Sequence, residues 1–206
     1  IGTGVGYFVI GPEPLSAEAR AQLAQKGMDE TSPIFVRIFK EESELELWKL
    51  TRDGEYRLFK TYPVCKWSGE LGPKEKQGDL QAPEGFYQVR ASQMNPNSSF
   101  YLSFNLGFPN AYDRVQGRTG DFLMVHGKCI SAGCYAMTDA VIDEIWGLVT
   151  AALDGGQQVV GGEQGIGIDP HLDPPADQLG EQLQRPLRQH QIGGLDRHLP
   201  FGLTQS

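Results

Sequence analysis

Short apolar, β-favouring runs alternate with polar breaks between residues 33 and 125. Three of them follow one another closely, PIFVRIFK, ELELWKL and EYRLFKTYPV, and the turn-forming residues between them predict a β-hairpin or meander. In the second run apolar residues fall on both faces, so we expect both sides of that strand to be partly covered. Further strands are predicted at FYQVRA, at FYLSFNLG after the turn MNPNSS, and at FLMV.

Two helices are predicted to flank these strands. Ser16 is a good N-cap for AEARAQLAQK, and Gly27 is a typical stop signal. A second helix can begin at Thr138 or Asp139, because apolar residues then recur at helical spacing at Val141, Ile142, Ile145, Trp146, Val149 and Leu153. The pattern as a whole predicts a mainly β domain with flanking helices, one of which covers a sheet.

Two long polar loops separate the later strands, SGELGPKEKQGDLQAPEG and GFPNAYDRVQGRTG. The strand FLMV runs directly into the stretch VHGKCISAGCYAMTD. We therefore expect both loops and one strand end to converge on residues 125–139.

Composition narrows the class of protein. The chain has 206 residues, is 39% hydrophobic and 21% charged, and carries a net charge of -8, which argues against a nucleic-acid partner.

We divide the chain into residues 1–30, 31–154 and 155–206. The apolar start at residues 1–10 is interpreted either as the remainder of a signal peptide or membrane anchor, or as an exposed apolar segment without a role. Residues 155–206, with one aromatic and no lysine, are predicted to be a disordered tail.

Residues 125–139 hold the candidate chemistry, because His126, Cys129 and Cys134 lie within nine positions of one another. A structural zinc site needs four ligands with paired spacings, which are missing here, so we expect no metal. A Cys129–Cys134 disulfide, an inert buried thiol and a nucleophilic Cys134 with His126 as its base all remain open. In the last case, Gly133 allows a sharp bend, and the backbone N–H groups of Gly133, Cys134 and Tyr135 could face an oxyanion.

Several segments carry a resemblance in the same order along the chain: FVRIFKEESELELW, YPVCKWSGELGPKEKQGD, APEGFYQV, LGFPNAYDR and LMVHGKCISAGCYAMT. Together they resemble the YafK-type branch of the L,D-transpeptidase (YkuD-like) family over about residues 33–153. The resemblance implies a β-sandwich catalytic domain, incomplete at its C-terminus, with Cys134 as the acylated nucleophile and His126 as its base. Gly127 and Ser131 would shape the loop.

The resemblance also implies a function. The family attacks an amide of a diaminopimelate residue in a peptidoglycan stem peptide, forms a thioester, and passes the acyl group to an amine or to water. We therefore expect no cofactor, a bacterial periplasmic or cell-envelope location, peptidoglycan stem peptides as partners, and a murein-linked lipoprotein as a further acceptor. A hydrolase of the same bond, a cysteine peptidase and an inactive wall-binding module remain alternatives.

Departures from the family pattern affect substrate binding. Ala132 and Ala136 occupy positions where many members carry histidine and arginine or asparagine. Arg114, with Tyr112 beside it, is our candidate for holding a substrate carboxylate in their place. Cys65 and Cys129 both fall beside the predicted cleft, so we expect them to pair and to leave Cys134 free.

Overall fold

The computed structural model describes residues 15–160 and 166–168. It contains three α-helices, α1 (Ala17–Gln25), α2 (Ala111–Val115) and α3 (Asp139–Asp154). A single 3-10 turn spans Ala91–Gln93. The strands are β1 (Ile34–Phe39), β2 (Glu44–Leu50), β3 (Tyr56–Pro63), β4 (Gly85–Tyr87), β5 (Met94–Ser98), β6 (Tyr101–Asn105), β7 (Met124–His126), β8 (Tyr135–Ala136) and β9 (Ile166–Ile168).

These strands form two sheets that share one core. The five-stranded sheet has the order β3-β2-β1-β9-β4, and the four-stranded sheet has the order β5-β6-β7-β8. Strands β1, β2 and β3 pair antiparallel in sequence order, which confirms the predicted meander. One hydrophobic cluster contains buried residues of both sheets and of α3, and this confirms the mainly β fold with flanking helices.

The central pair β1 and β2 is covered on both faces, as the imperfect alternation predicted. Phe35 and Trp48 form a second small cluster, separate from the main core. Beside them Arg37 Nη2 lies 2.6 Å from Glu46 Oε2, and the Trp48 indole N–H donates to the same oxygen at 2.9 Å. A buried ion pair of this kind needs such additional donors, because its desolvation is costly.

Both predicted helix caps are present. The Ala19 N–H donates to Ser16 Oγ at 3.0 Å, and the Val141 N–H points at Thr138 Oγ1 at 3.4 Å. Helix α3 then buries its apolar stripe in the main core, through Ile142, Ile145, Trp146, Leu148, Val149 and Ala152. This places the start of α3 directly behind the loop that carries the candidate chemistry.

Two local predictions are wrong. The segment MNPNSS is not a turn but mostly strand β5, which pairs with β6 at the edge of its sheet. An edge strand tolerates Pro96, because proline has no backbone N–H to donate to a neighbouring strand. The second polar loop contains helix α2, because Asn110 and Asp113 form a reciprocal capping box at its start. The strand predicted at FYQVRA is also reduced to Gly85–Tyr87.

The predicted domain boundary after residue 154 is too early. The Gln157 side chain donates to the Ile34 carbonyl and accepts from the Ile34 N–H, both at 2.9 Å, and buried Val160 bridges to Val89. Strand β9 then lies between β1, to which it is parallel, and β4, to which it is antiparallel. The rest of the predicted tail, and the predicted anchor remnant at residues 1–10, lie outside the described residues. In the described ranges, every helix is too short or too polar to cross a bilayer.

Candidate active site

Strand pairing brings His126 and Cys134 to the same region. Strands β7 and β8 are parallel, with Val125 beside Tyr135 and His126 beside Ala136. Cys134 immediately precedes β8 and therefore lies next to Met124. His126 ends β7, and Cys134 leads into the neighbouring strand β8. The two candidate residues thus lie on adjacent strands, two positions apart in the register.

Cys134 carries the free thiol among the described residues, because Cys65 and Cys129 form a disulfide with Cα atoms 5.4 Å apart. The structure therefore confirms the expected pairing and rules out a Cys129–Cys134 bond. The Cys134 thiol is half-buried and donates to the Phe122 carbonyl at 3.6 Å. Within residues 15–160 and 166–168, no group of three His, Cys, Asp or Glu residues is arranged to hold a metal ion.

The His126 imidazole is held in one orientation. Its Nδ1 lies 2.6 Å from the Gly127 carbonyl oxygen, and it is only 1% exposed. Since a carbonyl can only accept, Nδ1 carries the proton and Nε2 keeps its lone pair. The Phe100 ring stacks at a tilt over the imidazole with centroids 4.6 Å apart. This contact could not be predicted from the sequence, because Phe100 is far from His126 along the chain.

Burial favours the neutral forms of both groups. It lowers the pKa of His126, although the hydrogen bond to Gly127 opposes this change. Burial likewise raises the pKa of the Cys134 thiol, while the backbone N–H of Met124 and the charge of Lys74 act in the other direction. In the described part of the chain, no hydrogen bond joins the thiol to the imidazole. The site at rest is therefore a neutral thiol beside a neutral base.

Ser131 closes the loop in front of Cys134. Its hydroxyl donates to the Cys134 carbonyl at 2.6 Å, accepts the Cys134 N–H at 3.1 Å, and lies 3.2 Å from Ser68 Oγ. The Gly133 N–H also points at Ser131 Oγ, at 3.4 Å. Our expectation that these two amides face an open oxyanion site differs from the structure, in which Ser131 occupies both as a local turn acceptor.

The remaining loop residues act as supports. Gly127 donates to the carbonyls of Phe100 and Leu102, and a Cβ there would lie 2.7 Å from Asp139 Oδ1, so its small size is required. Gly133 adopts φ +122°, which favours glycine. Tyr135 is fully buried and its hydroxyl donates to the Pro83 carbonyl at 2.8 Å. Tyr135 therefore anchors the first polar loop.

Arg114 and Tyr112 lie elsewhere on α2. Arg114 lines an open cavity of about 470 Å³ together with Arg90, Gln93 and Asn110, and neither His126 nor Cys134 belongs to its wall. The Arg114 guanidinium donates to the Pro109 carbonyl. Tyr112 is 62% exposed, and the Arg118 guanidinium lies 5.4 Å from the centre of its ring.

The fold and the site together define a β-sandwich domain with a free cysteine and an oriented, buried histidine on neighbouring parallel strands. The chain belongs to the L,D-transpeptidase catalytic domain (YkuD) family, whose model matches residues 36–163. It is 49% identical over 147 residues to the Escherichia coli protein named "Putative L,D-transpeptidase YafK", covering 71% of this chain and 57% of that protein. The chain thus spans little more than half the length of its curated relatives.

Two solved structures are also similar. The helical cell shape determining protein Pgp2 from Campylobacter jejuni is 22% identical with a TM-score of 0.48, over 69% of this chain and 53% of that one. Bdellovibrio bacteriovorus Bd1075 is 19% identical with a TM-score of 0.41, over 66% and 47% of the two chains.

Proposed function

We propose that the chain is a cysteine acyltransferase that acts on peptidoglycan stem peptides through a thioester at Cys134. The observation that carries the proposal is a free thiol at the start of β8, next to the strand that bears an imidazole whose Nδ1 is committed to a backbone carbonyl. This leaves Nε2 of the imidazole free to act as a proton acceptor. Membership of the L,D-transpeptidase family supports the choice of substrate.

The first half-reaction forms the acyl-enzyme. As the Cys134 sulfur attacks the amide carbonyl carbon of the diaminopimelate residue, His126 Nε2 accepts the thiol proton. The tetrahedral intermediate then collapses, the C–N bond breaks, and the imidazolium returns its proton to the departing amine. Burial lowers the pKa of His126 and raises that of the Cys134 thiol, so in this proposal the neutral thiol and imidazole are the forms that meet the substrate.

The second half-reaction releases the acyl group. An acceptor amine, from a second stem peptide or from a murein-linked lipoprotein, attacks the thioester carbonyl and gives its proton to His126. The C–S bond breaks, and the thiolate recovers a proton from the imidazolium. Water in the same position would give hydrolysis. The Cys65–Cys129 disulfide supports a location in an oxidising compartment such as the bacterial periplasm or cell envelope.

We further propose that Arg114 binds a carboxylate of the stem peptide. The cavity that it lines with Arg90 has two arginines in its wall on a chain of net charge -8, which suits an anionic ligand. We expect Arg114→Ala to raise KM for a stem-peptide substrate while kcat and thiol alkylation stay the same. An unchanged KM would remove Arg114 from substrate binding, and Tyr112→Phe serves as the matched change on the same helix.

The test of the proposed function is covalent capture by a carbapenem, a β-lactam that acylates the nucleophile of this family. Intact mass should show one adduct per chain, and peptide mapping should place it on Cys134. Cys134→Ala should abolish the adduct, whereas replacing Cys65 and Cys129 together should leave it. A folded wild-type protein that forms no adduct, and transfers no acyl group between muropeptides, would contradict the proposal.

A further inference from the structure

A buried lysine lies within the first polar loop, close to the candidate nucleophile. Lys74 is only 4% exposed, and its ammonium donates to the Lys76 carbonyl at 3.0 Å and to Asp79 Oδ1. An ammonium has three N–H donors, so one has no partner among the described residues. A buried cation is costly, and the sequence showed only a charged loop here.

The carboxylate of Asp79 is stabilised by Lys74 and by three amides of its own loop. Its Oδ2 accepts the backbone N–H groups of Glu75 and Lys76, both at 3.0 Å, and its Oδ1 accepts that of Gln81 at 3.0 Å. These three amides hold the carboxylate in place beside Lys74. Within this ion pair, the charge of Lys74 acts to lower the pKa of the Cys134 thiol.

A short segment separates Lys74 from the thiol. The Lys74 Cε lies 2.7 Å from the position that a Cβ would take at Gly120, and the carbonyl of Phe122, two residues later, accepts the Cys134 thiol. The two polar loops are joined at this point, since the Thr119 N–H donates to the Glu75 carbonyl at 3.0 Å. Lys74 and the Cys134 thiol thus both approach the short segment of residues 120–122.

We propose that Lys74 is a positioning residue whose buried ammonium stabilises negative charge on the Cys134 sulfur as His126 removes its proton. Burial opposes thiolate formation, and Lys74 is the charged side chain that counteracts it. The titratable groups on the elements around the thiol are His126 on β7, the Lys74–Asp79 pair on the first polar loop, and Asp121, which directly follows the second polar loop and is exposed. The inference assumes that Cys134 is the nucleophile of the proposed function.

The test measures thiolate formation without any turnover. The rate of Cys134 alkylation by iodoacetamide is followed against pH by intact mass, and the disulfide keeps the other two cysteines out of the reaction. The midpoint of this profile is the pH at which the alkylation rate is half its maximum. For Lys74→Met we expect the midpoint to rise by about half to one and a half pH units, and alkylation at pH 7 to slow by about threefold to thirtyfold. Lys74→Arg should stay close to wild type.

Two further variants separate charge from structure. Lys76→Met removes an equal charge from an exposed position two residues away and should change the rate by less than about twofold. Asp79→Asn removes the negative charge beside Lys74 and should lower the midpoint; an unchanged unfolding temperature is required with it, because exposure of the thiol by a loosened loop would lower the midpoint too. An unchanged midpoint in Lys74→Met overturns the proposal. If Lys74→Met does not fold, an unchanged or raised midpoint in Asp79→Asn overturns it instead. Failure of carbapenem capture would instead contradict the proposed function alone.

Discussion

The Cys65–Cys129 disulfide gives the most quantitative prediction about stability. The bond joins the end of β3 to the loop that carries Cys134, across a sequence separation of 64 residues. In the chain-entropy model, closing a loop of that length restricts the unfolded chain by about 4 kcal/mol. For a domain of this size, that free energy corresponds to a fall in Tm of about 8–16 °C when both cysteines are replaced by alanine.

Thermal unfolding of the Cys65→Ala/Cys129→Ala double variant, compared with the oxidised wild type, measures this effect. Cys134→Ala is the matched control, because it removes a sulfur without removing a cross-link, and it should change the free energy of unfolding by less than about 1 kcal/mol. Wild type reduced with a phosphine should behave like the double variant. If the double variant unfolds within 3 °C of oxidised wild type, the disulfide does not restrain the unfolded chain as we argue.

Three further predictions concern single positions. Gly133→Ala should lower the free energy of unfolding by about 1–3 kcal/mol and slow Cys134 alkylation, because φ is +122° there and a Cβ would lie 3.3 Å from Leu123. Gly156→Ala is the control, because Gly156 has φ +100° but lies in open space. It should destabilise the fold and leave alkylation unchanged. Burial lowers the pKa of Lys49 from 10.5 to about 8. Between pH 8 and 10.5 the unfolded chain therefore binds more protons than the folded chain does. The free energy of unfolding, measured by urea titration, should thus rise from pH 8 to pH 10. Lys49→Met should flatten that rise, whereas an identical rise would contradict the assignment. Because burial lowers the pKa of His126, the imidazole should remain neutral, and able to accept a proton, below pH 6.5. The rate of carbapenem acylation of wild type should therefore fall only below pH 6.5. A loss of rate centred above pH 6.5 would contradict this expectation.

The sequence predicted the elements whose signals are local. The β1–β2–β3 meander followed from β-favouring runs and tight turns, and α3 followed from the helical spacing after Thr138. The motif containing His126 and Cys134 could be recognised in the same way, since both residues lie in one short stretch. Local propensity and spacing are sufficient where partners are close along the chain.

The features that the sequence did not reveal depend on distant partners. Strand β9 is a three-residue run in a glycine-rich context, and it becomes a strand through pairing with β1 and β4. Phe100 covers His126 across 26 positions, and Lys74 approaches Cys134 only because the two polar loops are joined. Ser131 occupies amides that the sequence suggested were open, since the turn geometry of its hydroxyl could not be read from residue types.

The acylation rate of His126→Ala decides whether His126 acts as the base for Cys134. Carbapenem adduct formation at Cys134 is followed by intact mass at pH 7 for wild type, for His126→Ala and for Lys128→Ala as an exposed neighbouring control. General-base catalysis contributes about 10²–10⁴-fold, so we expect at least a hundredfold slower acylation in His126→Ala and a wild-type rate in Lys128→Ala. A folded His126→Ala protein that is acylated at the wild-type rate would contradict the account.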